Sequence, residues 1–113
     1  MEALHNRQQG TEARFTLGQD FAFRAGVRRA RAFGLWVAER GGFAPDETAA
    51  YAQLMVDIVL ERGTFLACLE RADADLAARG IAMSRRELTK QGERLLHEAL
   101  TRHAPQPRQS GRA

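Results

Sequence analysis

The chain has 113 residues, which is enough for one domain with a single core, and its apolar content of 44% is ordinary for a globular protein. A formal net charge of +3 is smaller than a dedicated nucleic-acid binder usually carries, and the single cysteine excludes an internal disulfide. Because Ala, Leu, Arg and Glu are abundant and only three prolines occur, we predict an all-α protein.

The start of the chain predicts neither export nor a membrane anchor. Residues 1–10 lack the apolar run of a signal peptide, and no window approaches the roughly 18 apolar residues of a membrane span. We therefore expect a soluble, cytoplasmic protein. The same ten residues are polar and end in Gly10, which predicts either a loose helix or a disordered arm.

A helix boundary is possible near residue 20. Gly18 weakens a helix that the apolar residues from Ala13 onward would support, and Asp20 is a suitable N-cap for a new one. One long helix with a defect at Gly18 fits equally well. The sequence leaves both alternatives open.

The segment Phe21–Glu39 is predicted to be the central helix of the bundle. It contains the only tryptophan, Trp36, and we expect its truncation to alanine to cost roughly 3–5 kcal/mol, as for large aromatic residues in cores. Small residues on this helix, among them Gly34, would let a neighbouring helix approach closely. The apolar stripe expected to face the core is Phe23, Val27, Ala30, Gly34 and Val37, at steps of three and four. A separate stripe, here called the arginine ridge, consists of Arg24, Arg28 and Arg31, with Arg29 nearby.

Three further helices follow. The second, Pro45–Arg62, is apolar around most of its circumference, so we predict that it is the most buried element. Gly63 ends it, and Thr64 can cap the third helix. Further local signals are Gly80, typical of the left-handed residue after a helix, and the capping box Ser84–Glu87. The third helix is expected to bury Phe65, Cys68 or Leu69, Ala72 and Leu76.

Few residues form a pattern that catalysis or metal binding would need. His97 and His103 are six residues apart, which places them on different helix faces, and His5 is distant in the chain. Cys68 lies on an apolar stripe, which favours a small buried hydrophobic residue over a nucleophile. Phosphate-binding loops and nucleophile elbows are absent from the sequence. We predict no catalytic residue, no metal, no cofactor and no enzymatic activity.

The arginine ridge allows three interpretations. It could be a solvated face paired with acidic residues such as Asp20, or a contact surface for an acidic protein partner. It could also contact phosphate groups or nucleic acid. A DNA reader, however, would need Asn, Gln or Ser among the arginines, and the intervening residues are alanine, glycine and phenylalanine.

The sequence resembles the zeta subunit family of alphaproteobacterial F-type ATP synthase, which inhibits ATP hydrolysis. The resemblance covers about residues 7–100. The motifs that carry it are Glu12-Ala13-Arg14-Phe15, Phe21-x-Phe23-Arg24-Ala25, Arg28-Arg29-x-Arg31, Gly34-Leu35-Trp36-x-Ala38-Glu39, Ala50-Tyr51-Ala52 before Val56, Ala74-Asp75-Leu76 before Gly80-Ile81, and Ser84 with Leu95-Leu96-x-Glu98-Ala99.

The resemblance implies a small four-helix bundle, residues 1–103, whose flexible N-terminal arm of residues 1–17 enters the catalytic head of ATP synthase. Residues 104–113, rich in proline, serine and glycine, are predicted to be a disordered tail. Carried over by position, the expected partner-binding residues are Arg7, Glu12, Arg14 and Phe15 in the arm, to which we add Arg24, Arg28 and Arg31 of the arginine ridge.

The arm departs from the family pattern. Family members usually have an acidic, aromatic-containing stretch where this chain has Leu4–Thr11, which lacks acidic and aromatic residues and contains Gly10. This difference suggests a divergent member with weak inhibition. The alternative function is a non-catalytic binding module that uses the arginine-rich helix to bind another protein, an acidic ligand or nucleic acid.

Overall fold

The structure, a computed structural model, describes the backbone of residues 2–102 and the side chains of residues 19–102. This part of the chain contains helices and no strand, which confirms the predicted all-α, four-helix architecture. The predicted tail of residues 104–113 lies outside it. The four helices are α1 (Glu2–Gly41), α2 (Pro45–Arg62), α3 (Leu66–Ala78) and α4 (Arg85–Arg102).

Helix α1 is one continuous helix, so of the two alternatives near residue 20 the structure shows the long helix. Asp20 does not cap a new helix. Instead its carboxylate pairs with the guanidinium of Arg24, one turn later, at 3.1 Å. With 40 residues, α1 is about 60 Å long, more than twice the length of the 18-residue helices α2 and α4.

The glycine signals between the later helices are confirmed. Helix α2 begins at Pro45 and ends at Arg62, as predicted, and Gly63 follows it with a left-handed backbone at φ 75°. The N-cap of α3 is Phe65 rather than Thr64, although the Thr64 hydroxyl accepts a hydrogen bond from the N–H of Leu66, the first residue of α3, at 3.1 Å. After α3, Gly80 is also left-handed, with φ 77°.

Two hydrogen-bonded motifs complete these helix ends. The N–H of Ile81 donates to the carbonyl oxygen of Leu76 at 2.9 Å, which is the outer hydrogen bond of a Schellman motif, the one that spans more residues of the chain. At the start of α4, the N–H of Glu87 donates to the Ser84 hydroxyl at 3.1 Å, and the Glu87 carboxylate accepts from the N–H of Ser84. This reciprocal pair is the predicted capping box.

The core lies around the second half of α1, which packs against the other three helices. Its centre is Phe33, which is fully buried and meets the ring of Phe65 edge to face, with the ring centroids 4.9 Å apart. The predicted inner stripe of α3 is confirmed at Cys68, Leu69, Ala72 and Leu76, which are buried, whereas Phe65 precedes α3 and is only half-buried. The remaining members of the central cluster are Ala30, Val37, Ala38, Tyr51, Met55, Val56 and Leu88.

Three packing predictions need correction. Trp36 stacks on Phe33 but is only half-buried, and the guanidinium carbon of the exposed Arg40 lies 5.0 Å from the centroid of its ring. Phe23, expected in the inner stripe, is 57% exposed, since α2 ends nearby and leaves this part of α1 uncovered. Helix α2 is not the most buried element, because it makes no contact with α4 and its Leu60 is 52% exposed.

The helix glycines fall into two kinds. A Cβ at Gly34 would lie 2.7 Å from the Cα of Ala52, and one at Gly92 would lie 2.5 Å from the ring of Phe65. Both glycines therefore allow a close approach, as predicted for Gly34. A Cβ at Gly26, in contrast, would meet nothing within 4 Å. Each helix glycine costs about 1 kcal/mol relative to alanine, and at Gly26 no contact in the described chain offsets that cost.

The central position of Phe33 leads to a stability prediction. Phe33→Ala should lower the free energy of unfolding by roughly 3–5 kcal/mol, because it empties a fully buried site. Trp36→Ala should cost less, since Trp36 is already partly in contact with solvent. Urea denaturation followed by circular dichroism measures both values, and a larger loss for Trp36→Ala would contradict this description of the core.

Candidate partner-binding surface

The predicted partner-binding residues fall into two groups on the same helix. Residues 7–15, which include the four predicted arm residues, belong to α1, and so does the arginine ridge. The side chains of the arm group, Arg7, Glu12, Arg14 and Phe15, lie outside the part of the chain whose side chains are described. The ridge is described, and its three members are exposed.

The arginine ridge follows the outer side of α1 at steps of four and three residues. Arg24 is engaged by Asp20, but both groups are largely exposed, so this pair contributes little to stability. Arg28 and Arg31 have no carboxylate within 4 Å among the described side chains. Two guanidinium groups are thus presented to solvent on adjacent turns, where an acidic partner could reach them.

Arg29 lies only one position from Arg28, but it faces the interior. Its Nη1 donates to the carbonyl oxygen of Gly92 at 3.4 Å, and its guanidinium carbon lies 3.7 Å from the centroid of the Phe65 ring. Its Nε is buried without a hydrogen-bond partner in the described chain. Burial lowers the pKa of Arg29 from its ordinary value. The group connects α1 to α4 and to the start of α3, and it does not extend the ridge.

A residue that sequence reasoning missed adjoins the ridge. Arg102, in the last turn of α4, lines a small cleft of about 100 Å³ together with Arg28. Glu98 lines the same cleft, which moderates the positive charge there. No sequence signal links Arg102 to Arg28, because the two residues are 74 positions apart and meet only through the packing of α4 on α1.

The buried titratable groups are arranged for stability rather than for reaction. The Tyr51 hydroxyl donates to the Asp75 carboxylate at 2.8 Å, and the Nε of Arg71 donates to the same oxygen at 2.9 Å. Burial, with this hydrogen bond as a second cause, raises the pKa of Tyr51 well above its ordinary value. The Cys68 thiol donates to the Met55 carbonyl oxygen at 3.4 Å, and burial raises its pKa to about 11. A thiol with a raised pKa is a poor nucleophile, which agrees with its predicted role as a small buried residue.

The described residues contain no group of three His, Cys, Asp or Glu side chains placed to hold a metal ion. His97 is exposed on α4, while His5 and His103 fall outside the described side chains. Among the described helices, none combines the length and the apolar character needed to cross a bilayer.

Comparison with known proteins gives one match. The family model of the ATPase inhibitor subunit zeta matches residues 1–102. The match spans all four helices and both groups of predicted partner-binding residues. Neither a curated protein nor a solved structure matches the chain.

The raised pKa values predict a loss of stability at alkaline pH. Because Cys68 and Tyr51 both favour their protonated forms in the native state, the unfolded chain releases those protons first as the pH rises. These two groups should therefore leave the free energy of unfolding unchanged below pH 9.0, the ordinary pKa of the thiol, and should lower it as the pH rises further. The expected slope is about 1.4 kcal/mol per pH unit for each group that titrates.

Urea denaturation between pH 8 and pH 11 measures this slope, and two variants assign it. Cys68→Ala should flatten the first part of the decline, and Tyr51→Phe the part above about pH 10, where an unfolded tyrosine titrates. An unchanged slope in both variants would contradict the assignment.

Proposed function

Because this chain belongs to the ATPase inhibitor subunit zeta family, we propose that it suppresses ATP hydrolysis by inserting residues 1–17 into the catalytic head of an F-type ATP synthase. The general role as an ATPase inhibitor follows from family membership. Insertion of the arm, and the identity of the residues that make the contact, belong to this proposal.

The observation that best supports insertion is the continuity of α1. The helix runs from Glu2 to Gly41 without a break. In its second half the inner side of the helix is fully buried at Ala25, Ala30, Phe33 and Val37. An arm that binds the head would thus be continuous with the helix at the centre of the bundle. Force on the arm would pass along the helix into a close-packed core, which resists deformation.

The composition of the arm sets the expected strength of inhibition. Leu4–Thr11 has no carboxylate with which to pair cations of the head, and Gly10 lowers helix propensity by about 1 kcal/mol relative to alanine. The arm can therefore form fewer favourable contacts with the head than an arm with the usual acidic family pattern, and it must retain its helical form during binding. We expect weak inhibition, as the departures from the family pattern suggested.

The remaining predictions fit the same proposal. An inhibitor subunit is not expected to be catalytic, and the proposal includes no cofactor and no metal. It places the protein in the cytoplasm, together with the catalytic head. No observation favours nucleic acid as a partner, because Arg29 faces the interior and Arg24 is already paired, so Arg28 and Arg31 are the two ridge members available for phosphate.

Titration of the purified chain into ATP synthase head that lacks a zeta subunit tests the proposal. The full chain should lower the rate of ATP hydrolysis, and deletion of residues 1–17 should abolish that effect while the bundle stays folded. Deletion of residues 104–113 is the control truncation, and it should leave inhibition unchanged. Unchanged hydrolysis with saturating full chain, shown by circular dichroism to be folded, would contradict the proposed function.

The arginine ridge is proposed as a second part of the contact. Arg28→Glu combined with Arg31→Glu should raise the half-inhibitory concentration about tenfold, since reversed charges at an interface rim cost roughly 1 kcal/mol or more together. Arg86→Glu combined with Lys90→Glu, two exposed charge reversals on α4, is the matched control. The difference between the two variants should shrink at high salt. Equal inhibition by both would assign the ridge to a solvated face.

A further inference from the structure

Helix α1 has one side that no other helix of the described chain covers. Helix α3 contacts both α2 and α4, whereas α2 and α4 make no contact with each other, so α3 fills the space between them on one side of α1. On the opposite side of α1, no helix among the described residues lies between α2 and α4. A further helix can therefore pack along α1 at this position.

The side chains on this open side form a regular stripe. At steps of four, three and four residues along α1, its members are Arg24, Arg28, Arg31 and Leu35. All four are exposed, the leucine at 44%. On one flank of the stripe Gly34 packs against α2, and on the other Ala32 lines a cleft with α4. The open side of α1 is thus the arginine ridge extended by an exposed leucine.

The charge of the open side favours an acidic partner. Arg28 and Arg31 have no carboxylate within 4 Å among the described side chains. Arg102 of α4 adds a third cation, because it lines the same cleft as Arg28, although Glu98 lines that cleft as well. At the other end of the stripe the exposed Glu39 is negative. Carboxylates of a partner would therefore be attracted to the arginines and repelled near Glu39, which fixes where they must lie.

The terminal segments of this chain lack the charge to cover the open side. Residues 104–113, which follow α4, contain two arginines and no acidic residue. In residues 1–18 the acidic Glu2 and Glu12 are balanced by Arg7 and Arg14. The occupant favoured by charge is therefore part of another molecule.

The spacing of the stripe and its leucine favour a helix as the occupant. A helix packed beside α1, with the axes about 8–10 Å apart, would present side chains at steps of three and four residues that match the stripe. Exposed ion pairs contribute little to affinity, so a buried apolar contact must supply much of it. Leu35 is the residue of the stripe that can form such a contact, because burial of its exposed surface is favourable.

We propose that the open side of α1 binds an α-helix of the ATP synthase head, one that carries carboxylates opposite Arg28 and Arg31 and an apolar side chain opposite Leu35. This inference rests on the proposed function, which supplies the head as the partner, and it specifies the element that the arginine ridge meets. Arg28 lies roughly 16 Å along α1 from residue 17, where the arm ends. A head that holds the arm is therefore close to the open side.

Photo-crosslinking in the full chain tests which element lies on the open side. Replacement of Leu35 by the photoreactive residue p-benzoylphenylalanine should give a crosslink to a subunit of the purified head. Mass spectrometry should locate that crosslink in a peptide with acidic residues at steps of three or four. The same replacement at Ala74, which is exposed on α3 and thus on the opposite side of α1, is the control and should give no crosslink to the head.

Substitutions separate the apolar contact from the charged one. Leu35→Gln should weaken binding to the immobilised head several-fold at low and high salt alike, whereas Leu35→Met, which keeps an apolar side chain, should bind like the unchanged chain. Arg28→Glu combined with Arg31→Glu should weaken binding mainly at low salt, because salt screens exposed charges. Leu66→Gln on α3, where the leucine is 50% exposed, is the matched control and should leave binding unchanged. Circular dichroism verifies that each variant is folded.

The outcomes distinguish this inference from the proposed function. If the full chain inhibits, but position 35 gives no crosslink to the head and Leu35→Gln inhibits equally well, the inference is overturned while the inhibitory function stands. A crosslink to a second copy of this chain, or to a head segment without carboxylates, would also overturn it. If position 35 crosslinks to an acidic helix of the head while ATP hydrolysis is unchanged, the docking contact is supported and inhibition is not. Absence of any binding by the folded full chain would overturn both.

Discussion

The close crossing of α1 and α2 is the contact on which the rest of the bundle depends. At Gly34 the backbones of the two helices approach until a single additional carbon would be 2.7 Å from Ala52. Glycine thus lets the two backbones approach to van der Waals contact, and dispersion attraction, which is strongest for carbon atoms about 3.5–4.0 Å apart, is lost steeply when helices separate. The approach aligns Phe33 and Val37 with Met55 in one cluster, which α3 and α4 then cover. The second half of α1 is therefore the scaffold for the other three helices.

The short helix α3 is held at both of its ends by an arginine that packs on an aromatic ring. In each case the guanidinium carbon lies 3.7 Å from the ring centroid and one nitrogen donates to a backbone carbonyl oxygen at 3.4 Å. Such contacts stabilise by about 0.5–2 kcal/mol, more when water is excluded. The two sets are Arg29 with Phe65 and Gly92, and Arg79 with Phe43 and Gly41. In the second set the acceptor, the carbonyl oxygen of Gly41, belongs to the last turn of α1, where helix carbonyl groups lack partners.

The local elements of the fold could be predicted because their causes are local. Gly63 and the Ser84–Glu87 box act through backbone conformation and hydrogen bonds within a few residues, so the pattern alone identifies the helix ends. Asp20 was ambiguous for the same reason, since a carboxylate can cap a helix or pair with an arginine one turn later. Only the continuation of the chain decides between them.

The candidate surface was harder to predict because it depends on where the neighbouring helices end. Helical periodicity places Phe23 on the core side of α1, but it cannot show that α2 stops before covering it. Adjacent arginines differ by about 100° around the helix, and the packing of α3 and α4 determines that Arg29 is enclosed and Arg28 is not. The position of Arg102 beside the arginine ridge was likewise not predictable, because it results from the packing of α4 on α1.

The unbroken course of α1 has a consequence for how the arm can change in length. Insertion of one residue before the bundle would rotate everything upstream by about 100° and advance it by about 1.5 Å, whereas seven residues would restore nearly the original orientation. Changes of length in this stretch are therefore coupled to the phase of the helix. The turns that join the later helices lie outside α1, so a change of length there would not rotate the arm.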